Sequence, residues 1–166
     1  MNNLPTVTKN LLIINVLCFF GMFVARKYGV DIENMLGLHF FLASDFNLGQ
    51  LITYMFMHAN FSHIFFNMFA LWMFGCIVER TWGAKKFLTY YIVCGVGAGL
   101  FQELAQFAQF YFIASEHIPH FTLAQTMKVA NASAAGLNLW TTVGASGAVY
   151  GILLAFGMLS PAGRIS

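Results

Sequence analysis

The run Val143-Gly144-Ala145-Ser146-Gly147-Ala148-Val149-Tyr150-Gly151 sets one hydroxyl between small residues in an otherwise apolar stretch. A serine there can cap a helix or ease a close helix crossing, or it can add to a carbonyl. Which of these it does depends on what else reaches it. His63 and Asn67, in a different apolar stretch, are four residues apart, so on a helix they share a face and address the same small volume. Their N–H groups can donate to the oxyanion formed when Ser146 attacks a peptide carbonyl. The Ser146 backbone amide and the positive end of its helix would add to that stabilisation. One donor of this kind is typically worth about 3 kcal/mol. His58 and His63 are five apart, with no glutamate after the first and no cysteine or carboxylate nearby, whereas helical zinc motifs need a four-residue repeat. No metal and no cofactor are therefore expected. A purely structural use, in which the histidines and the asparagine hydrogen-bond helix ends and loops, is as consistent with the pattern as catalysis.

The elements that must position these residues belong to a bilayer. The chain is 59% hydrophobic and 8% charged, against about 25% charged residues in soluble domains. Composition thus predicts an all-α, polytopic membrane helix bundle, a single domain over residues 1–166. A net charge of +2 gives no footing for nucleic-acid binding. Four spans are expected, over 7–25, 62–78, 87–102 and from 143 to the stop at Ser160-Pro161, with Lys9 snorkelling to the interface. The first is read as an uncleaved helix and not a signal peptide. Asn15 within it is expected to make one interhelical hydrogen bond, worth about 0.6 kcal/mol. Cys18, Cys76 and Cys94 all fall in apolar stretches and are read as reduced packing residues.

The connector 26–50 contains an apolar patch, 36–42, too short to span and expected to lie in the membrane interface; 51–60 is expected at the membrane edge. Glu79 to Lys86 is a charged turn whose Arg80, Lys85 and Lys86 form the densest basic cluster, which marks a cytoplasmic loop. Alternation then places the N-terminus in the cytoplasm and the starts of the second and fourth spans together on the outer side, so Ser146 can meet His63 and Asn67. The segment 103–142 is expected outside, with a helical extension broken at His117, Pro119 and His120. Gly95 and Gly99 predict a close helix crossing. Gly147, Gly151 and Ala155 predict another smooth face.

Two stretches resemble the rhomboid intramembrane serine proteases: His58-Ala-Asn-Phe-Ser-His63-Ile-Phe-Phe-Asn67 followed by Gly75 and Glu79, and Gly144-Ala145-Ser146-Gly147 followed by Tyr150. The turn Glu79-Arg80-Thr81-Trp82-Gly83 leading to Lys86-Phe87 and Tyr90 is similar too. The resemblance covers nearly the whole chain and implies about four helices of a six-helix core. It implies that Ser146 is the nucleophile and that His63 and Asn67 line the oxyanion site. His58, Gly144, Gly147 and Tyr150 would be structural residues beside them, Tyr150 beneath the base, and Gly147 and Gly151 would face the later helix that carries the base histidine. No histidine follows Ser146, so the resemblance implies a chain that stops after the fourth helix and is inactive as it stands. His117 and His120 lie in the outer segment. The implied substrates are single-pass membrane proteins in the bilayer, in the inner cell membrane; no oligomeric state follows. The alternative is a non-catalytic rhomboid-like protein that binds transmembrane helices. A small transporter fits less well, because the intramembrane polar residues gather at one side.

Overall fold

The computed structural model describes residues 3–159; the Ser160-Pro161 stop and Arg164 lie outside the described residues. Among the described residues three helical stretches are long and apolar enough to cross a membrane: Thr6–Lys27, Phe61–Trp82 and Ala84–His117. Their outward faces are hydrocarbon, with Leu17 65% and Phe101 73% exposed. Such faces are stable where lipid solvates them, and the protein is an integral membrane helix bundle. The fourth apolar helix, Ser146–Leu159, has 14 described residues, fewer than a full crossing needs.

The first span is α1 (Thr6–Lys27). The second runs through α4 (Phe61–Ala70), a π-helical turn (Leu71–Gly75) and α5 (Cys76–Trp82), after the short α2 (Ile32–Leu36) and α3 (Gln50–Thr53). Gly83, at φ 82, is the single residue joining α5 to α6 (Ala84–His117). At 34 residues α6 is twice the expected 87–102 and about 50 Å long, well beyond a hydrocarbon core of about 30 Å. No breaker precedes Pro119, so the extension written by Gln102, Gln106 and Gln109 continues as the same helix to His117. The chain then returns as α7 (Leu123–Leu137), opened by a capping box of Thr122 and Gln125, and reaches α8 (Ser146–Leu159).

The connector is tucked inside. Leu38, His39 and Phe40 are fully buried, and strand β1 (Leu38–His39) pairs antiparallel with β2 (Thr141–Thr142). The 36–42 patch therefore forms half of a ribbon leading to Ser146 instead of lying in the interface. Gln50 holds that ribbon by accepting from the His39 amide at 3.2 Å. The middle of 51–60 likewise enters the core: Tyr54, Met55 and Met57 are buried, in a 3-10 turn (Tyr54–Phe56) and just after it.

Glycines in α6 make the room. A Cβ on Gly95 would lie 2.1 Å from Met55 Cε, and one on Gly99 would lie 3.3 Å from Leu38, Leu51 and Tyr54. The Gly95–Gly99 face thus receives side chains, not a crossing helix. The crossing with α8 uses the neighbouring stripe, where a Cβ on Gly147 would meet Ala98 Cβ at 2.3 Å and one on Gly151 would meet Cys94 Sγ at 2.5 Å. Tyr90 Oη fastens this contact by donating to the Gly151 carbonyl at 2.9 Å. Gly147 and Gly151 are consequently packed against α6, which corrects the expectation that they face a later helix. Asn15 also differs from expectation. Its Nδ2 donates to Leu11 O one turn back in its own helix, at 2.8 Å.

Candidate active site

Ser146 is the first residue of α8, and the chain before it is fixed atom by atom. After β2, Gly144 turns through φ 118, a conformation that favours glycine. Its amide donates to Tyr54 O at 2.9 Å. The Ala145 amide points at His58 Nε2, 3.5 Å away, and Val149 N then donates to Ala145 O to open the helix. Glycine at 144 serves a second purpose: a Cβ there would lie 2.5 Å from His63 Cε1 and 2.6 Å from Nε2. The backbone entering α8 therefore lies directly against the His63 ring.

The same economy sets the other wall. Asn60 caps α4, its Oδ1 accepting from the His63 amide at 2.9 Å. One turn on, Asn67 Nδ2 donates to His63 O at 2.9 Å, and a primary amide retains a second N–H after one such bond. Ser146, His63 and Asn67 line one cavity of about 580 Å³, with Ser62, Phe66 and Tyr150 among its other walls. Tyr150, 71% exposed, sits on its outer side.

His58 is fully enclosed and outside that cavity, its ring edge-on to His63 with centroids 5.1 Å apart. Burial first, and the nearness of His63 second, push its pKa down to about 4. It is therefore neutral at physiological pH, with an Nε2 lone pair facing Ala145 N–H; its Nδ1 lies toward Phe56, short of hydrogen-bonding geometry. His58 props the start of α8 and does not face the serine. Gly147 is turned away as well, into the α6 contact.

Among the described residues, His63 is the one histidine lining the cavity. His39 is buried beside Gln50 and Asn34, and His117 is bonded to Ile113 O at the exposed end of α6. Among the described residues no group of three His, Cys, Asp or Glu side chains is placed to hold a metal. The arrangement offers a hydroxyl nucleophile at a helix start and N–H donors beside it, and among the described residues no carboxylate lines the cavity.

Three positioning residues are not read from sequence as such. Asn60 had a signal, a capping residue three before His63 at the head of an apolar run. Glu79, placed by sequence in a charged turn, is 4% exposed and binds α1. Tyr54 supports Gly144 through its backbone carbonyl, which no side-chain pattern encodes.

A sequence model of the family described as Rhomboid domain matches residues 45–166. Rhomboid protease AarA of Providencia stuartii is 33% identical over 109 residues, 61% of this chain and 30% of the relative. Rhomboid protease GlpG of Haemophilus influenzae is 28% identical over 112 residues, 66% of this chain and 58% of the relative. A shorter match, 36% identical over 58 residues, is to Rhomboid-like protease 1 of Toxoplasma gondii. The chain thus spans about a third to three-fifths of the first two of these relatives.

Proposed function

We propose that this chain, which belongs to the rhomboid family, carries the nucleophile and oxyanion half of an intramembrane serine endopeptidase. Family proteases act on membrane-protein substrates in the bilayer, and the substrates proposed here are single-pass membrane proteins. The observation that carries the reading is the shared cavity of Ser146, His63 and Asn67. Ser146 Oγ adds to the scissile carbonyl as its proton passes to a base. The negative charge on the carbonyl oxygen is taken by the Ser146 amide, the free Asn67 N–H and His63. Collapse expels the amine with a proton returned by that base and leaves an acyl-serine for water to cleave. No cofactor enters these steps.

His63 is assigned to the oxyanion, and no second imidazole lines the cavity. The reaction therefore needs a base brought to it, and the 166 residues alone are expected to be inactive. The basic cluster Arg80, Lys85 and Lys86 supports a cytoplasmic α5–α6 turn, a cytoplasmic N-terminus and a Ser146 near the outer side of an inner cell membrane. The chain is taken as one domain.

The test is fluorophosphonate labelling of the protein expressed from its native locus in membranes, with the labelled residue mapped. Labelling on Ser146 that disappears in Ser146→Ala is expected. Labelling that persists in that variant removes Ser146 from the site. The isolated 166 residues should label at least about a hundredfold more slowly, the scale of one lost general base.

The missing second imidazole also favours a non-catalytic reading, in which the cavity holds a transmembrane helix. Crosslinking that recovers uncut membrane partners equally with the native chain and with Ser146→Ala, without fluorophosphonate labelling of either, would establish it over the protease.

A further inference from the structure

At the opposite end of the bundle, the α5–α6 turn borders a groove of about 910 Å³ that the Ser146 cavity does not use. Its walls include Trp82, Lys85, Lys86, Thr89, Tyr90 and Val93. Their order along α6 is a gradient. Lys85 and Lys86 lie in the first turn, Thr89 and Tyr90 in the next, and Val93, 62% exposed to the lipid side, deeper still. At 1.5 Å per residue, Val93 sits about 12 Å below Lys85, roughly the step from headgroup level to upper acyl chain.

The charge at the mouth is uncompensated. Among the described residues the one ion pair is Arg26–Glu33, so neither lysine has a carboxylate partner. Glu79, the acid nearest in sequence, is buried and accepts from Val7 and Thr8. The Lys86 ammonium stands 4.8 Å over the Trp82 ring, which fixes it at the groove mouth by a cation–π contact. The turn joins two spans, Phe61–Trp82 and Ala84–His117, so the groove opens where those spans leave the hydrocarbon. Trp82 and Tyr90 pack edge to face there, centroids 5.1 Å apart, a pair suited to the headgroup level.

We propose that this groove binds an anionic glycerophospholipid of the surrounding leaflet. Its phosphate lies against the Lys85 and Lys86 ammonium groups, and an acyl chain runs past Tyr90 to Val93. Charge complementarity selects an anionic headgroup over a zwitterionic one, and the apolar floor selects a lipid over a soluble phosphate ester.

Trp82 is a reporter inside the groove. In a Trp72→Phe/Trp140→Phe background it is the sole tryptophan of the 166 residues, which are reconstituted in phosphatidylcholine vesicles. A small fixed fraction of the lipid is brominated in its acyl chains, as phosphatidylglycerol or as phosphatidylcholine. Brominated phosphatidylglycerol should occupy the quenching site with about fivefold preference, the scale of one lysine attracting an anionic surface. Lys85→Gln/Lys86→Gln should make the two lipids equal while keeping quenching by brominated phosphatidylcholine and the helical circular dichroism, which report insertion and folding. Lys9→Gln, which removes an exposed charge at the same end, should leave the preference in place. Equal quenching in the parent overturns the proposal. So does a preference that survives the double substitution, or one that falls equally with Lys9→Gln. Relief of quenching by glycerol 3-phosphate in the buffer would assign the groove to soluble phosphates instead.

Discussion

The bundle holds two polar clusters at opposite ends, built from similar chemistry and put to different use. At the α5–α6 end, the Glu79 carboxylate accepts from Val7 N at 2.9 Å, Thr8 N at 2.7 Å and Thr8 Oγ at 2.8 Å. It satisfies amides in the first turn of α1 that have no partner in their own helix. Both of its oxygens are bonded to protein, and the residue is 4% exposed and is not among the walls of the Ser146 cavity. At the other end, Asn67 keeps an N–H after bonding His63 O, and the Ser146 hydroxyl has no hydrogen-bond partner among the described residues and lines an open cavity. Unspent hydrogen-bonding capacity facing a cavity separates the two better than residue type does.

The comparison breaks most visibly at Glu79. Glu79→Ala strands two backbone amides, Val7 and Thr8, in a buried contact, at about 1–3 kcal/mol each. A loss of about 4 kcal/mol in denaturant unfolding of the purified protein is expected, with α1 released first in hydrogen exchange. A loss below about 1 kcal/mol would mean that water or lipid headgroups replace the carboxylate, and the cluster would not be the structural one.

Acid titration comes next. His58 is held at about pKa 4 by burial and by His63, below the ordinary value near 6.5. Between those pH values the unfolded chain takes up a proton that the folded chain refuses. Stability is therefore complete above about pH 6.5 and falls as pH drops toward 4, by up to about 3 kcal/mol. His58→Gln, followed through the pH dependence of the unfolding midpoint, should flatten that slope. Gly144→Ala is smaller, about 1–2 kcal/mol, for a side chain at φ 118. Its added Cβ must also displace the His63 ring, so fluorophosphonate labelling should fall further than stability does.

Much of this was legible in the sequence, and the gaps have physical causes. Composition and charge-free runs gave the helices, and helical spacing placed His63 with Asn67. Loop contacts were not legible, because β1–β2 pairing and the Tyr54 carbonyl are backbone interactions that any side chain permits. The glycine stripes were legible as close approach but not in partner. Gly95 and Gly99 accept Met55, Leu38 and Tyr54, while Cys94 and Ala98 meet α8, since small residues mark where something comes near and not what comes. The role of Glu79 was not legible for a related reason: a charge in a basic turn does not show which buried amides it binds until the first turn of α1 is placed against it.

The smallest expected effect discriminates best. Ser146→Ala removes a hydroxyl that lines a cavity and makes no hydrogen bond among the described residues, so stability should change by less than about 0.5 kcal/mol. Labelling by a fluorophosphonate in the native context should vanish. If Ser146 instead capped its helix, the same change would cost about 1 kcal/mol and loosen the first turn of α8. Measured side by side with Glu79→Ala, the two outcomes point in opposite directions. A stable, unlabelled Ser146→Ala protein assigns the hydroxyl to chemistry, whereas a destabilised one returns it to architecture and leaves His63 and Asn67 without a nucleophile to serve.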